Sequence, residues 1–307
     1  MNIAFVGGVK FSYELLEHLL NNGIKPSIVF SYVESKRKFY SDFYSLDKLA
    51  KSFDLKHIKV NNINDQQNIE ILKKIKPDLI LVLGWSQLLN KEIIKIPKFG
   101  VIGSHPTELP KYRGRAPIPW TILKGLKKSA LTLFYISEGI DNGDILDQKT
   151  FKISLEDDAT SLYKKITNIG KKMLIKNIKQ FQNGKFIRIK QNPKDFQEYW
   201  PKRKPEDGKI NWNKTNEEVN RLIRATTYPY PGAYTTFKSA KLIIWKATCS
   251  SEKSSGIGKI LQVDKTAIKI GTGDGIIILK LVSFNNNKEE DPLKIFSVND
   301  VGLILGE

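Results

Sequence analysis

Short, almost uninterrupted apolar runs alternate with amphipathic stretches through the first half of the chain, and this alternation restricts the fold more than any other feature. Residues 2–7, Pro26–Tyr32, His57–Val60 and Asp78–Leu83 read as buried strands. Between them, Phe11–Asn22 sets Leu15, Leu16, Leu19 and Leu20 on one face, and Ser45–Phe53 and Gln66–Ile75 also read as helices. Strands that are apolar on both faces have to be covered on both faces. That predicts an α/β architecture, a mostly parallel sheet with helices on either side. Val101–Ile102, Leu131–Ile136 and Ile145–Ile153 extend the sheet. Asp157–Phe181 reads as a long helix with Leu162, Ile166, Ile169 and Met173 inward.

The pattern changes after Gly184. Residues 185–210 are polar, rich in Lys, Pro and Asn, and without a period, which reads as a linker. A helix at Asn216–Thr226 follows, then short β-like runs at Ala233–Phe237, Leu242–Ala247, Gly258–Val263, Ala267–Ile270 and Gly275–Val282. Such close spacing predicts a small, OB-like barrel. The expected organisation is a Rossmann-like domain over 1–184, a linker over 185–210 and a barrel-like domain over 211–307. The turn Gly7-Gly8 after the first strand looks like a dinucleotide-binding opening. Val9 and Ser12, however, stand where that fingerprint needs glycines, so the turn is expected to line the mouth of the sheet.

Net charge is +18 over 307 residues. A polyanion partner is one reading of it. Lysine supplies most of the charge and is scattered, whereas the few arginines include Arg113, Arg115 and Arg203 in motif-like segments, so solvated lysine faces are the preferred reading. A single Cys249 excludes an internal disulfide and fits a reducing, cytoplasmic setting. No Cys/His spacing suggests a metal site. No signal-peptide pattern and no membrane-length apolar run is present, so no membrane partner is expected.

Chemistry concentrates in two segments. Gly103-Ser104-His105-Pro106 ends an apolar run and leads through Leu109-Pro110-Lys111-Tyr112-Arg113-Gly114-Arg115. Histidine is the side-chain type whose unperturbed pKa lies nearest neutrality, so His105 is a candidate for proton transfer. Ser137-Glu138-Gly139-Ile140-Asp141-Asn142-Gly143-Asp144 follows the next strand. Asp141 can orient the imidazole and hold its charge, with Asp144 as the alternative acid. His18 and His57 are read as structural.

The two segments, in this order and spacing, resemble the glycinamide-ribonucleotide and methionyl-tRNA formyltransferase superfamily, which carries His-x-Ser-Leu-Leu-Pro-x-x-Arg-Gly followed by Leu-Asp-x-Gly. The resemblance covers almost the whole chain. It implies transfer of a formyl group from 10-formyltetrahydrofolate, a co-substrate, to a primary amine without a metal. His105, Asp141 and Ser104 would form the catalytic group. Gly84, Trp85, Ser86, Gln87, Leu88, Glu138, Ile140 and Asn142 would line the folate pocket, with Trp85 either stacked on the pteridine or packed in the core. Gly8, Lys10, Pro106, Lys111, Arg113, Gly114, Arg115 and Arg203 would meet the acceptor. The family places Asn two residues before the histidine to polarise the formyl oxygen; here that residue is Gly103. Ser104, Ser86 or Asn142 would have to substitute, or the chain is a binding relative without catalysis. Glu108 also departs from the family's Leu, and is placed to pair with Lys111 or to meet an amino substrate.

Two acceptor classes fit. Methionyl-tRNA formyltransferases carry a long basic loop after the second strand. Here residues 32–44 are short, with only Lys36-Arg37-Lys38 basic, and are similar to the UDP-4-amino-4-deoxy-L-arabinose formyltransferase domain. Arg115 and the turn Lys202-Arg203-Lys204-Pro205-Glu206-Asp207 match that enzyme too. A nucleotide-linked amino sugar, destined for surface polysaccharide such as lipopolysaccharide O-antigen, is therefore expected, with initiator methionyl-tRNA as the alternative. The resemblance leaves room for a homodimer.

Overall fold

A computed structural model of the chain describes residues 1–285 and 287–306. In chain order the elements are β1 (Ile3–Val6), α1 (Lys10–Asn21), β2 (Ile28–Tyr32), α2 (Asp47–Ser52), β3 (His57–Val60), α3 (Gln66–Ile75), β4 (Leu79–Val82), α4 (Lys91–Lys95), β5 (Val101–His105), β6 (Tyr112–Gly114), α5 (Pro117–Leu123), β7 (Lys128–Tyr135), β8 (Ile145–Lys152) and α6 (Ala159–Gln182). There follow β9 (Glu198–Trp200), α7 (Asn216–Thr226), β10 (Ala233–Phe237), β11 (Ala240–Ser250), β12 (Ile260–Val263), β13 (Ile268–Gly271) and β14 (Ile276–Phe284). The chain divides into two compact units. The first holds residues 1–117, 127–153 and 163–201; the second holds 118–126, 154–162 and the residues from Lys202 onward.

The first unit is built on a seven-stranded sheet of order β3-β2-β1-β4-β5-β7-β8. The five strands from β3 to β5 are parallel. β7 extends the sheet antiparallel to β5, and β8, antiparallel to β7, runs again in the direction of the parallel strands. On one face, Ala4, Val6, Ile28, Phe30, Ile80 and Val82 pack with Ile69 and Leu72 of α3 and Ile93 of α4. On the other, α6 crosses α1 and β7 so closely that a Cβ on Gly170 would stand 3.2 Å from Leu15 and 3.3 Å from Leu131. Alternate strand residues thus serve opposite layers, as continuously apolar strands require.

The Gly7-Gly8 turn is closed from within. The backbone N–H groups of Gly8 and Val9 donate to Ser12 Oγ at 3.1 and 3.3 Å. Lys10 N–H donates to the Asp42 carbonyl at 2.9 Å and Phe11 N–H to Tyr163 Oη at 2.7 Å. A phosphate held at a helix start needs such donors free. Here all are used.

Residues 185–201, which read as linker, group with the first unit. β9 pairs in parallel with β6, placing Trp200 opposite Gly114, and Ile189 bridges Ile145 at the start of β8.

The second unit is a five-stranded antiparallel sheet of order β10-β11-β14-β13-β12 around Trp212, Ile223, Leu242, Ile244, Ile270 and Ile277. Its two edge strands are joined by the C-terminal segment. Gly302 N–H donates to Ile260 and Ile260 N–H to Leu303, at 2.8 and 2.9 Å, while Gly306 N–H donates to Thr236 in β10 at 2.9 Å. Barrel-like closure therefore runs through residues 302–306 and not through a direct ladder between β10 and β12.

Candidate active site

β5 delivers His105 as its last residue. Strand alternation sends Gly103 and His105 to one face and Ser104 to the other, so Ser104 is not brought beside the imidazole. His105 is enclosed rather than exposed on a loop, with 5% of its surface accessible. Its Nε2 lies 2.9 Å from the Tyr112 carbonyl. A carbonyl oxygen only accepts, so Nε2 carries the hydrogen. Nδ1 faces Asp141 Oδ2 at 3.6 Å, a charge contact too long for a hydrogen bond. Both neighbours are acceptors, so a proton gained at Nδ1 arises beside a carboxylate. Thr107 Oγ1 also donates to the Tyr112 carbonyl, at 2.6 Å, folding the loop over the ring.

Asp141 sits in the left-handed region, at φ 49°. Its Oδ2 accepts the Gly114 N–H at 2.9 Å, tying the two motif loops together. Gly114 has φ 112°, and a Cβ there would lie 2.4 Å from the Trp200 carbonyl. Gly143 is equally confined, since a Cβ would meet the Tyr135 carbonyl at 1.8 Å. Only glycine lets these two backbones approach. Gln191, which carried no sequence signal, donates from Nε2 to the carbonyls of Asp141 and Gly143 at 2.8 and 2.7 Å.

The residues expected at folate divide into those engaged within the protein and those left exposed. Gly84, at φ 62°, abuts Val9 and Ser12. Trp85 stacks on Tyr32 with ring centroids 3.7 Å apart, and Tyr32 stacks in turn on Tyr40 at 4.6 Å, so one indole face is already covered. Ser86 N–H donates to Tyr32 Oη. Gln87 is spent on the backbone of Asn61 and Ile63. Asn142 accepts from Ser137 Oγ at 2.8 Å. Leu88 and Ile140, by contrast, are exposed by 67% and 46%. A Lys91–Glu138 ion pair at 2.9 Å draws their loops together, offering apolar surface to a flat ligand.

Of the residues expected at the acceptor, Gly8 and Lys10 use their N–H groups internally, as described above. The Pro106 carbonyl faces Ser129 Oγ at 3.4 Å. Lys111 pairs with Glu108 at 3.1 Å. Arg113 donates to Gln191 through Nε and Nη2, at 3.2 and 2.8 Å. The Arg115 side chain is exposed, and its backbone N–H donates to Trp200. Arg203 lies in the second unit, over the Trp120 ring and donating to the Asp207 carbonyl. Burial lowers its guanidinium pKa from the ordinary value.

The space beside Gly103 is filled with carbon. A Cβ there would stand 3.0 Å from Ile136 Cγ1, 3.1 Å from its Cδ1 and 3.2 Å from Phe134 Cε1. Gly103→Asn is therefore expected to lower turnover and melting temperature together, with overpacking costing roughly 1–3 kcal/mol. Steady-state kinetics and a thermal melt check this; higher turnover in the variant would show that the missing amide limits the reaction.

Residues 1–178 match the formyl transferase family, and residues 202–299 match the formyl transferase C-terminal domain. The chain belongs to the formyl transferase family. It is a folate-dependent formyltransferase, with formyl-tetrahydrofolate as the one-carbon donor. A methionyl-tRNA formyltransferase from Alkaliphilus metalliredigens is 33% identical over 313 residues, covering 100% of this chain and 99% of that one. The bifunctional polymyxin resistance protein ArnA of Wigglesworthia glossinidia brevipalpis is 34% identical over 259 residues, covering 84% of this chain and 39% of ArnA. The crystal structure of an N-formyltransferase from Helicobacter canadensis, in complex with folinic acid and dTDP-3-aminofucose, shares the fold. Its TM-score is 0.66 at 24% identity, over 91% of this chain and 98% of that one.

Proposed function

We propose that the enzyme moves the formyl group of 10-formyltetrahydrofolate to the amine of a nucleotide-linked amino sugar, with His105 and Asp141 as its proton-handling pair. The acceptor amine attacks the formyl carbon, forming a C–N bond and an oxyanion. His105 accepts the proton that the attacking nitrogen loses, and Asp141 stabilises the resulting imidazolium. The bond to the folate nitrogen then breaks, and the same proton passes to that nitrogen. Leu88 and Ile140 would cover the folate rings.

The observation that carries the acceptor class is the tethering of residues 33–44. Glu34–Phe39 forms a short 3-10 helix, Arg37 pairs with Glu34 at 2.6 Å and lies over the Phe43 ring, and Tyr40 stacks on Tyr32. Tyr163 Oη donates to Asp42 at 3.0 Å. The segment is folded back onto its own unit and is a poor arm for entering a nucleic acid. The dTDP-3-aminofucose held in complex by the Helicobacter canadensis enzyme supports the same reading.

Initiator methionyl-tRNA is the second reading, favoured by the full-length likeness to the Alkaliphilus enzyme and by the +18 charge. A panel of amino-sugar nucleotides and charged initiator tRNA, each offered with 10-formyltetrahydrofolate, separates the two. Formylation of a sugar nucleotide is expected. Formylation of tRNA alone, with an efficiency above about ten thousand per molar per second, overturns the sugar assignment. A tRNA complex would also weaken steeply with added salt.

A further inference from the structure

We infer that Gln191 and Arg113 form a positioning pair that holds Asp141 in register with His105, an inference that rests on the proton-handling role proposed for those two residues. Neither side chain of the pair touches the imidazole. Their action runs through the backbone of the loop that carries the carboxylate.

Asp141 adopts a left-handed backbone, at φ 49°, which a residue with a Cβ reaches only against a steric cost. Such a conformation persists when its surroundings hold it. One restraint comes from β7, where Tyr135 N–H donates to the Asp144 carbonyl at 2.8 Å and Gly143 abuts the Tyr135 carbonyl. The other comes from Gln191, whose amide nitrogen uses both hydrogens, one on the Asp141 carbonyl and one on the Gly143 carbonyl, at 2.8 and 2.7 Å. The amide oxygen receives Nε and Nη2 of Arg113. With two carbonyls on one side and a guanidinium on the other, the amide fits in one orientation only.

Arg113 is also the link back to the first motif. It lies between Tyr112, whose carbonyl holds His105 Nε2, and Gly114, whose N–H holds Asp141 Oδ2. A displacement of the Gln191 amide is therefore felt on both sides of the 3.6 Å contact between Nδ1 and Oδ2. The Phe196 ring lies beneath the Arg113 guanidinium at 5.3 Å and helps fix its plane.

The test is Gln191→Glu beside Gln191→Ala, in the full-length enzyme. Glutamate keeps the size and the Arg113 contact but turns an oxygen toward the two carbonyls; alanine removes both interactions. Both variants are expected to lose turnover by about ten- to a hundredfold, the scale of an ångström-level misplacement, with KM for the formyl donor changed less than about threefold. The pH dependence of kcat should shift, because the imidazole loses its registered carboxylate. Arg113→Ala combined with Gln191→Ala should lose no more than the worse single variant, as expected of residues acting through one chain of contacts. Wild-type kcat and pH profile in Gln191→Glu, with His105→Ala and Asp141→Asn inactive, overturn the positioning pair and leave the catalytic assignment standing. Full activity in His105→Ala overturns both. Should Gln191→Ala fail to fold, Gln191→Glu carries the decision.

Discussion

His105→Ala is expected to lower turnover by at least about a hundredfold while leaving the protein folded. The ring is buried, so its removal leaves a small cavity at the end of β5. The Tyr112 carbonyl, however, keeps its bond from Thr107, so no buried acceptor is orphaned. The stability loss should stay within about 1–3 kcal/mol, an ordinary value for a buried truncation. Turnover and melting temperature are measured on the same preparation. Near-normal turnover would remove His105 from the mechanism, and a collapse in melting temperature would recast it as a packing residue.

Asp141→Asn is expected to cut kcat on the order of a hundredfold with little change in KM. The amide oxygen can still accept the Gly114 N–H, and asparagine tolerates the left-handed backbone as well as aspartate does. Shape and loop conformation are thus retained, and only the negative charge facing Nδ1 is lost. That charge matters once the imidazole carries the amine's proton, and less in substrate binding. A loss confined to KM contradicts this role.

The run of apolar strands made the parallel half of the sheet legible, because residues such as Phe5, Phe30 and Leu81 are buried whichever face they meet. Direction was not legible for β7, since Leu131–Tyr135 is equally apolar in either orientation. Placing Ser104 beside His105 overlooked a signal that was present: adjacent strand residues leave on opposite faces. Gln191 had no such signal. It lies in an unpatterned polar stretch, and it acts through an amide on backbone carbonyls 48 and 50 residues away in sequence. Lys111 and Gln87 show the converse, since polar residues inside a motif can be consumed by the protein itself, Lys111 by Glu108 of its own loop and Gln87 by the backbone of Ile63 in a neighbouring one.

The closure of the second unit by residues 302–306 has a consequence for the order in which the molecule is made. Every residue of the His105 site, Gln191 included, has been synthesised by the time Pro201 is added, and the first unit is then complete in composition. The second unit cannot be sealed until Gly306 reaches Thr236. Until residues 302–306 are made, the Thr236 end of β10 and the outer side of β12 lack their partners and are open to pairing with another nascent chain, whereas Ile210 already covers Tyr234 of β10. The interval of greatest exposure to misassembly therefore follows residue 201, after the catalytic half is already in hand.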